Sequence, residues 1–404
     1  MEDILFKNGK IILEDRILPG SLLTQNGKIA SICPSGKDIP PGCRVVNLDG
    51  QYLSPGFIDV HTHGGGGYDF MDGDLESIYQ ACRMHMLHGT TTIVPTTITG
   101  TKESLFDFVK LFNQVEPHRE NMPNIPGLHL EGPYFSYSQR GAQDSRYLRN
   151  PEKEEYLEVL RLTDRIIRWS FAVELDGSAE FLKTLNRRGI VSSLAHSDAT
   201  CHQVMEAHKK GIKALTHFYS GMSDVKRSGG FRIAGAVQAG YLLDDLFVEL
   251  IVDGCHLPRE LVQLTYKIKG ADRICFVTDS MRGAGMPDGT YILGNKDTGL
   301  STVVEDGVAK LPDRTAFAGS VATMDRLLRT GRRFLDIPLW ELVKMVSLTP
   351  SSLINMQGCK GSIQVGKDAD LVVLDPELTV RQVMVMGRLH DVGKKAGCES
   401  FQFT

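Results

Sequence analysis

The sequence lacks the features that mark several classes of protein. Its eight cysteines form no CxxC pair, which argues against a cysteine-based zinc site or a disulfide framework. No stretch reaches the ~18 consecutive apolar residues of a membrane helix, and the N-terminus lacks the long apolar core of a signal peptide. The formal net charge of −4 gives no general attraction to nucleic acid. We therefore expect a cytoplasmic protein with reduced thiols that binds neither nucleic acid nor membranes.

The central part of the chain alternates short apolar runs with longer amphipathic stretches, which is typical of βα units. Eight parallel strands are the number that closes a barrel, and 404 residues leave room for an additional module. We predict an α/β fold with a (β/α)8 TIM-type barrel over residues 54–354. The strand candidates are residues 56–63, 91–98, 125–131, 168–174, 190–196, 212–217, 247–253 and 273–279.

Both ends of the chain have a different pattern, that of short strands separated by turns. Asn8-Gly9 and Asn26-Gly27 are turn signals within residues 1–53, and residues 355–404 contain a strand, a Gly-Lys-Asp turn and a second strand. We predict that these two segments pair into one small β-sandwich domain. Residues 284–318, rich in glycine and aspartate, are expected to form a hairpin near the mouth of the site.

Several predicted strands end in a side chain that can bind a metal or move a proton. Each of these residues taken alone has an ordinary explanation, such as a solvent-facing strand end or a helix cap. Together they indicate parallel strands whose carboxyl ends converge on one point, as in the active sites of α/β barrels. The residues are His61, His63, Glu131, His196, His217 and Asp279.

The spacing and chemistry of these residues predict a metal-dependent hydrolase. His61 and His63 are two residues apart on a strand, so both point to the same face and can chelate a divalent ion. Asp279 can take a proton from water and pass it to a leaving amine. His256, shortly after the seventh strand, is placed to orient the substrate or to stabilise an oxyanion. His85 and His88 are interpreted as surface or packing residues.

The motifs resemble those of the amidohydrolase superfamily and, within it, the N-acetylglucosamine-6-phosphate deacetylase family. The resemblance covers nearly the whole chain, through PGFIDVHTHG, GTTTIVPT, GLHLEGPY, AHSDAT, DGCHLP, VTDS, SLTPS and GSIQVGKDADLVVLD. It implies a homodimer and one or two divalent ions per subunit, with zinc the expected metal.

The resemblance also implies a role for each matching residue. Glu131, His196 and His217 match the ligands of the principal metal, and His61 and His63 match positions that support a second one. Asp279 matches the general acid and base. Gln143 and His256 match positions that contact the substrate.

Two segments depart from the family pattern. Ser220 and Gly221 stand where the family often has Asn-Ala. The basic loop that supplies phosphate contacts in the family, partly across the dimer, is here VKRSGGFRIAG. Arg227 and Arg232 are the candidates for phosphate binding, because a guanidinium group suits bidentate contact with phosphate.

These observations predict hydrolysis of N-acetyl-D-glucosamine 6-phosphate to glucosamine 6-phosphate and acetate. One alternative is the same reaction on N-acetylgalactosamine 6-phosphate or on another N-acyl compound, which the changes at Ser220 and Gly221 motivate. Another alternative, of a different class, is a barrel that has lost catalysis and acts as a binding scaffold. The set of candidate ligands and Asp279 argues against the scaffold.

Overall fold

The computed structural model describes residues 2–392. Its strands are β1 (Ile4–Ile12), β2 (Ile17–Gln25), β3 (Lys28–Ile32), β4 (Arg44–Asn47), β5 (Tyr52–Pro55), β6 (Phe57–Thr62), β7 (Gly64–Gly65), β8 (Tyr68–Asp69), β9 (Thr90–Pro95), β10 (Leu128–Glu131), β11 (Ile166–Phe171), β12 (Val191–Leu194), β13 (Ala214–Leu215), β14 (Lys226–Ser228), β15 (Phe231–Ile233), β16 (Phe247–Leu250), β17 (Ile274–Phe276), β18 (Gly289–Leu293), β19 (Leu300–Glu305), β20 (Val308–Lys310), β21 (Leu371–Leu374), β22 (Val380–Val385) and β23 (Arg388–Asp391). Its α-helices are α1 (Leu75–Leu87), α2 (Lys102–Phe112), α3 (Lys153–Leu162), α4 (Ser178–Arg187), α5 (Cys201–Lys209), α6 (Ala236–Leu242), α7 (Arg259–Lys269), α8 (Met324–Phe334), α9 (Leu339–Lys344) and α10 (Leu348–Leu353).

The centre of the fold is a curled parallel sheet in a mixed α/β arrangement. Each of the eight predicted strands overlaps an observed strand. Six of these form one sheet in the order β10-β11-β12-β13-β16-β17, and β6 pairs in parallel with β9. Parallel bridges join Thr92 to Asn124 and Thr96 to His129, which places β9 beside β10. The main-chain N–H of Asp279 donates to the carbonyl of His61 at 2.9 Å.

The parallel strands are buried because helices cover them. All residues of β6, β9, β10 and β12 are buried, as expected for strands that have no solvent-facing side. Helix α4 turns Phe181, Leu182 and Leu185 inward, while α5 begins at a capping box between Thr200 and Gln203. Sequence periodicity and capping chemistry therefore agree with the observed packing.

Strands from the two ends of the chain belong to one eight-stranded sheet. Its order is β23-β22-β21-β5-β1-β2-β3, with β4 paired to β1. The two ends are joined where β5 pairs antiparallel with β21. This sheet has its own hydrophobic cluster, which includes Phe6, Leu22, Leu53 and Val373. Residues 393–404, the end of the predicted C-terminal segment, lie outside the described residues.

The two Asn-Gly turn signals have different outcomes. Asn26-Gly27 joins β2 to β3 with positive φ at both residues, as a tight hairpin turn requires. The turn predicted at Asn8-Gly9 is wrong, because β1 continues through it. Asn8 has a φ of 56°, and the register against β2 shifts between Phe6 and Gly9. The left-handed residue therefore makes an irregularity inside a strand, where the pairing partners on both sides keep the chain extended.

The segment after Asp279 forms the predicted excursion. It contains the antiparallel sheet β18-β19-β20, whose apolar residues pack with Met281 and Ala318. Arg282 anchors this excursion, since its guanidinium contacts Asp72 at 2.8 Å and donates to the carbonyl of Gly294 at 2.5 Å. Over residues 2–392, no helix is both long and apolar enough to cross a membrane.

Phe181 offers a test of the packing of α4. Its ring lies 4.9–5.2 Å, between centroids, from those of Tyr134, Tyr156, Trp169 and Phe171. We expect Phe181→Ala to lower the free energy of unfolding by about 3–5 kcal/mol, because it leaves a cavity in a buried aromatic cluster. Urea titration followed by circular dichroism measures this. Leu264→Ala, at a residue 42% exposed, should change the same quantity by less than about 0.5 kcal/mol, and a similar change in both variants would contradict the packing argument.

Candidate metal centre

The six predicted strand-end residues lie together at the carboxyl end of the parallel sheet. His61 is within β6 and Glu131 ends β10, whereas His196, His217 and Asp279 follow β12, β13 and β17. The last three have φ values of 44°, 33° and 45°, in the left-handed region that non-glycine residues rarely occupy. Such conformations concentrate at functional sites, where the surrounding structure holds them.

Glu131, His196 and His217 form the first cluster. The Nε2 atom of His217 lies 3.0 Å from Oε1 of Glu131 and 3.2 Å from Nε2 of His196. The distance from His196 Nε2 to Glu131 Oε1 is 3.6 Å. All three side chains are buried.

The other nitrogen of each of these rings is fixed by a main-chain carbonyl. His196 Nδ1 donates to the carbonyl of Gln139 at 2.8 Å, and His217 Nδ1 donates to that of Ser220 at 3.1 Å. A carbonyl only accepts, so Nδ1 carries the hydrogen and the neutral ring presents a lone pair at Nε2. When both rings are neutral, two lone pairs and a carboxylate oxygen face one another, and a proton or a metal ion between them relieves the repulsion.

His61, His63 and Asp279 form the second cluster. His63 Nε2 lies 3.1 Å from Asp279 Oδ1, and His61 Nε2 lies 3.4 Å from both His63 Nε2 and Asp279 Oδ1. Glu131 stands between the two clusters, with its carboxylate oxygens 3.5 Å from His61 and 3.4 Å from His63. Nδ1 of His63 is buried and has no hydrogen-bond partner within residues 2–392.

The first cluster fits a divalent metal by its donor chemistry. Ligands about 2.0–2.2 Å from a tetrahedral zinc lie roughly 3.3–3.6 Å apart, and the three donor atoms are separated by 3.0–3.6 Å. Imidazole nitrogen and carboxylate oxygen both suit zinc and related ions. The hydrogen bonds from Nδ1 to carbonyl groups are the outer contacts that usually orient metal-binding histidines.

Opposite charges dominate the electrostatics of the two clusters. Burial raises the pKa of Asp279, but the charges of His61 and His63 outweigh it and lower that pKa to about 2. Burial lowers the pKa of His63, but the bond to Asp279 and the charge of Glu131 reverse this and raise it to about 9. Burial likewise acts to raise the pKa of Glu131, and the surrounding histidines bring it well below its usual range. Protons and metal ions thus compete for the same atoms.

A cavity of about 190 Å³ opens onto both clusters. It is lined by the predicted substrate residues Gln143, His256, Ser220 and Gly221. The excursion after β17 adds an apolar wall through Leu293 and, following β20, Ala316 and Phe317. The cavity therefore combines a polar floor with an apolar side, as small-molecule sites commonly do.

Gln143 and His256 are held in place by neighbouring groups. The Gln143 side-chain amide donates to Glu131 Oε2 at 2.8 Å and accepts from the main-chain N–H of Thr99 at 3.1 Å. His256 Nδ1 lies 2.8 Å from Asp253 Oδ2, and its ring centroid is 4.9 Å from that of Phe317. Both side chains enter the cavity in a fixed orientation.

Gly221 has a packing reason to be glycine. Its φ is 59°, and a Cβ atom there would lie 2.6 Å from His196 Nδ1 and 2.9 Å from the carbonyl oxygen of Gln139. A side chain would therefore collide with the hydrogen bond that fixes His196.

The two candidate arginines are outside the cavity. Arg227 and Arg232 are register partners in the exposed hairpin of β14 and β15, and neither lines the cavity. Lys226 of the same hairpin forms an ion pair with Asp198. Within one chain, the structure does not bring these arginines to the clusters.

The sequence interpretation missed buried residues behind the clusters. Glu249 in β16 lies 3.3 Å from His61 Nδ1 and pairs with the buried Arg168. The signal available in the sequence was a charged residue within each of the apolar strands FVEL and IIRWSF.

His85 is a packing residue. It bonds the carbonyl of Gly64 at 2.9 Å, and burial lowers its pKa to about 4.

Comparison with known proteins gives one consistent result. The sequence model of the amidohydrolase family matches residues 52–390. The chain is similar to the N-acetylglucosamine-6-phosphate deacetylase of Lysinibacillus sphaericus, with 34% identity over 368 residues that cover 90% of this chain and 92% of the relative. It is 31% identical to the N-acetylgalactosamine-6-phosphate deacetylase of Escherichia coli O157:H7, over 90% and 93% of the two chains. The crystal structure of N-acetylglucosamine-6-phosphate deacetylase from Pasteurella multocida aligns with a TM-score of 0.89, at 30% identity, over 96% of this chain and 100% of that one.

The geometry of the first cluster predicts the effect of neutralising Glu131. We expect Glu131→Gln to lose most of its bound divalent metal after dialysis, because the substitution removes the charge that faces both histidines. Elemental analysis of purified protein measures this. Glu155→Gln removes a buried carboxylate that pairs with Arg149 instead, and it should retain metal; equal metal content in the two variants would rule out the assigned site.

Proposed function

The chain belongs to the amidohydrolase family, and from this premise we propose that it is a metal-dependent deacetylase. Its substrate would be N-acetyl-D-glucosamine 6-phosphate, and its products glucosamine 6-phosphate and acetate. The observation that carries the proposal is that Asp279 and the first cluster face the same cavity. Relatives named for this activity over most of the chain support the choice of substrate.

Glu131, His196 and His217 would hold the principal metal, for which zinc is the proposed identity. His61 and His63, with Asp279, would support a second ion. A bound divalent ion supplies Lewis acidity, which polarises the acyl carbonyl and lowers the pKa of water in the site.

The remaining steps belong to side chains of this protein. Asp279 is ionised, so it can accept a proton from the attacking water and pass it to the departing amine. His256, fixed by Asp253, is the proposed contact for the substrate carbonyl or sugar. Gln143 limits the movement of Glu131 through its hydrogen bond, and it lines the cavity as a second proposed contact for the substrate.

We also infer a closed (β/α)8 barrel for residues 54–354 and a β-sandwich built from the two end segments, of which residues 2–53 and 355–392 are described. The bond from Asp279 to His61, at opposite edges of the strand order, supports closure of the barrel. The pairing of β5 with β21 supports a shared terminal domain.

A homodimer is proposed from the hairpin of β14 and β15. It exposes Phe231, which is 78% accessible, beside the exposed Val225 and Ile233. An apolar surface of this kind is typical of a contact with another subunit. Such a contact would bring the hairpin arginines close to the site of a neighbouring subunit. A cytoplasmic location stays a prediction.

The galactosamine epimer is the alternative substrate, since one relative is named for it. Of the pair Ser220 and Gly221, Ser220 lines the cavity and has no packing reason to depart from the family pattern. Acetate release from both phosphorylated sugars at equal concentration separates the two. A scaffold without catalysis would release acetate from neither.

The role of Asp279 predicts a specific defect. Asp279→Asn should reduce kcat for acetate release by about 10²–10⁴-fold, because the amide cannot exchange the proton. The ligands proposed for the principal metal stay intact, so at least one ion per chain should remain, and elemental analysis of the same sample checks this. Near-wild-type turnover in a metal-loaded variant would contradict the proposed role.

The hairpin arginines predict a defect that depends on phosphate. Replacing Arg227 and Arg232 together with alanine should weaken binding of the phosphorylated sugar by roughly 1.5–3 kcal/mol for each guanidinium group that binds the phosphate. The effect should be much smaller for the unphosphorylated sugar, as measured by kcat/KM on both. The double variant Lys183→Ala/Arg187→Ala, on the exposed face of α4, removes equal charge and should show no such preference. A uniform decrease on both sugars would mean that the hairpin does not bind phosphate.

A further inference from the structure

Glu249 links the two clusters from beneath. Its side chain is fully buried in β16, and one carboxylate oxygen, Oε2, lies 3.3 Å from His61 Nδ1 and 3.2 Å from the main-chain N–H of His217. A carboxylate oxygen only accepts, so both His61 Nδ1 and the main-chain nitrogen of His217 donate a hydrogen to it. The carboxylate therefore contacts one member of each cluster.

Arg168 compensates the charge of Glu249. Its side chain is fully buried, and it forms an ion pair with the other carboxylate oxygen, Oε1. The guanidinium group also donates to Ser193 Oγ at 2.9 Å, Thr216 Oγ1 at 3.0 Å and the carbonyl of Val60 at 3.3 Å. These contacts hold the arginine from several strands, so the position of the Glu249 carboxylate is fixed as well.

We propose that Glu249, held by Arg168, is a positioning residue that selects the tautomer of His61 and thereby prepares the second cluster for a cation. With the hydrogen on Nδ1, His61 directs a lone pair from Nε2 towards His63 and Asp279. With the hydrogen on Nε2, the ring would donate to Asp279 or Glu131 and block the position that a cation needs.

His61 is the ring of the second cluster whose tautomer is fixed. Among the described residues, Nδ1 of His63 has no hydrogen-bond partner, so none of them selects one nitrogen over the other from its far side. In the first cluster, main-chain carbonyls perform this function for His196 and His217. The second cluster uses the side chain of Glu249 for it, which a single substitution can remove.

The inference rests on the proposed divalent metal site, and the test includes a measurement that needs no metal. Histidine labelled with ¹⁵N reports the tautomer of each ring in the metal-free protein, and His61→Asn assigns the signals of His61. In the wild type we expect Nδ1 to carry the hydrogen. In Glu249→Gln the amide can donate to Nδ1, and we expect the hydrogen of His61 to move to Nε2.

Zinc titration gives the second measurement. We expect the wild type to bind two ions per chain and Glu249→Gln to bind the second about 10–100-fold more weakly. If Glu249→Gln fails to fold because Arg168 lacks its counter-charge, the double variant Arg168→Met/Glu249→Leu removes both charges and the acceptor that faces His61 Nδ1, and it should give the same two results.

Asp325→Asn is the matched control. It removes a buried carboxylate that also contacts a histidine Nδ1, that of His88 at 3.1 Å, and an arginine, Arg329, away from the clusters. Its His61 signals and its affinity for the second ion should equal those of the wild type. Unchanged His61 signals in both Glu249 variants, or a wild type that binds a single ion, would overturn the inference. A wild type that binds no ion would instead contradict the proposed function, and the tautomer measurement would still decide the role of Glu249.

Discussion

The site depends on holding atoms together that repel one another unless a cation lies between them. The Nε2 atoms of His196 and His217 lie 3.2 Å apart, while the hydrogen of each ring is on Nδ1, where it bonds a main-chain carbonyl. A carboxylate oxygen of Glu131 completes the group. Burial makes this arrangement costly, since water cannot screen the lone pairs and charges. The surrounding hydrogen bonds pre-organise the rings, so the favourable energy of binding a cation is not used to orient them.

The parallel strands separate this polar end from an apolar one. Alternate residues of the same strands form a cluster at a different level of the fold, which includes Ile58, Val60, Val94, Val191 and Val277. Leu353 and Ile354, at the end of α10, pack against that cluster. The apolar level fixes the register of the strands, because a shift of one residue would exchange inward and outward side chains. Register in turn sets where His61 and Asp279 lie, because β6 and β17 both contribute residues to this cluster.

Local patterns predicted the strands and their terminal residues, because a strand end and a polar side chain both appear within a few letters of sequence. Asn8-Gly9 failed as a turn since long-range pairing of β1 with β2, β4 and β5 overrides a two-residue preference. Glu249 and Arg168 were missed for a related reason, because the contacts that reveal them join distant parts of the sequence. Glu249 lies 81 residues from Arg168 and 188 residues from His61. The hairpin arginines show a third limit, because a basic loop in the sequence does not reveal where its side chains lie, and within one chain these two lie outside the cavity.

Ser220 and Gly221, the two residues that depart from the family pattern, have different structural roles. Gly221 packs against the bond between His196 and Gln139, so the absence of a side chain there preserves the orientation of the His196 ring. Ser220 supplies the carbonyl that fixes His217, a main-chain contact that any residue can make, while its side chain is free to differ at the cavity wall. We therefore propose that Ser220, together with the apolar residues Leu293 and Phe317 that also line the cavity, discriminates between the sugar epimers. A hydroxyl that changes from equatorial to axial changes its distance to such a wall, and a buried polar group without a partner is what a site rejects most strongly.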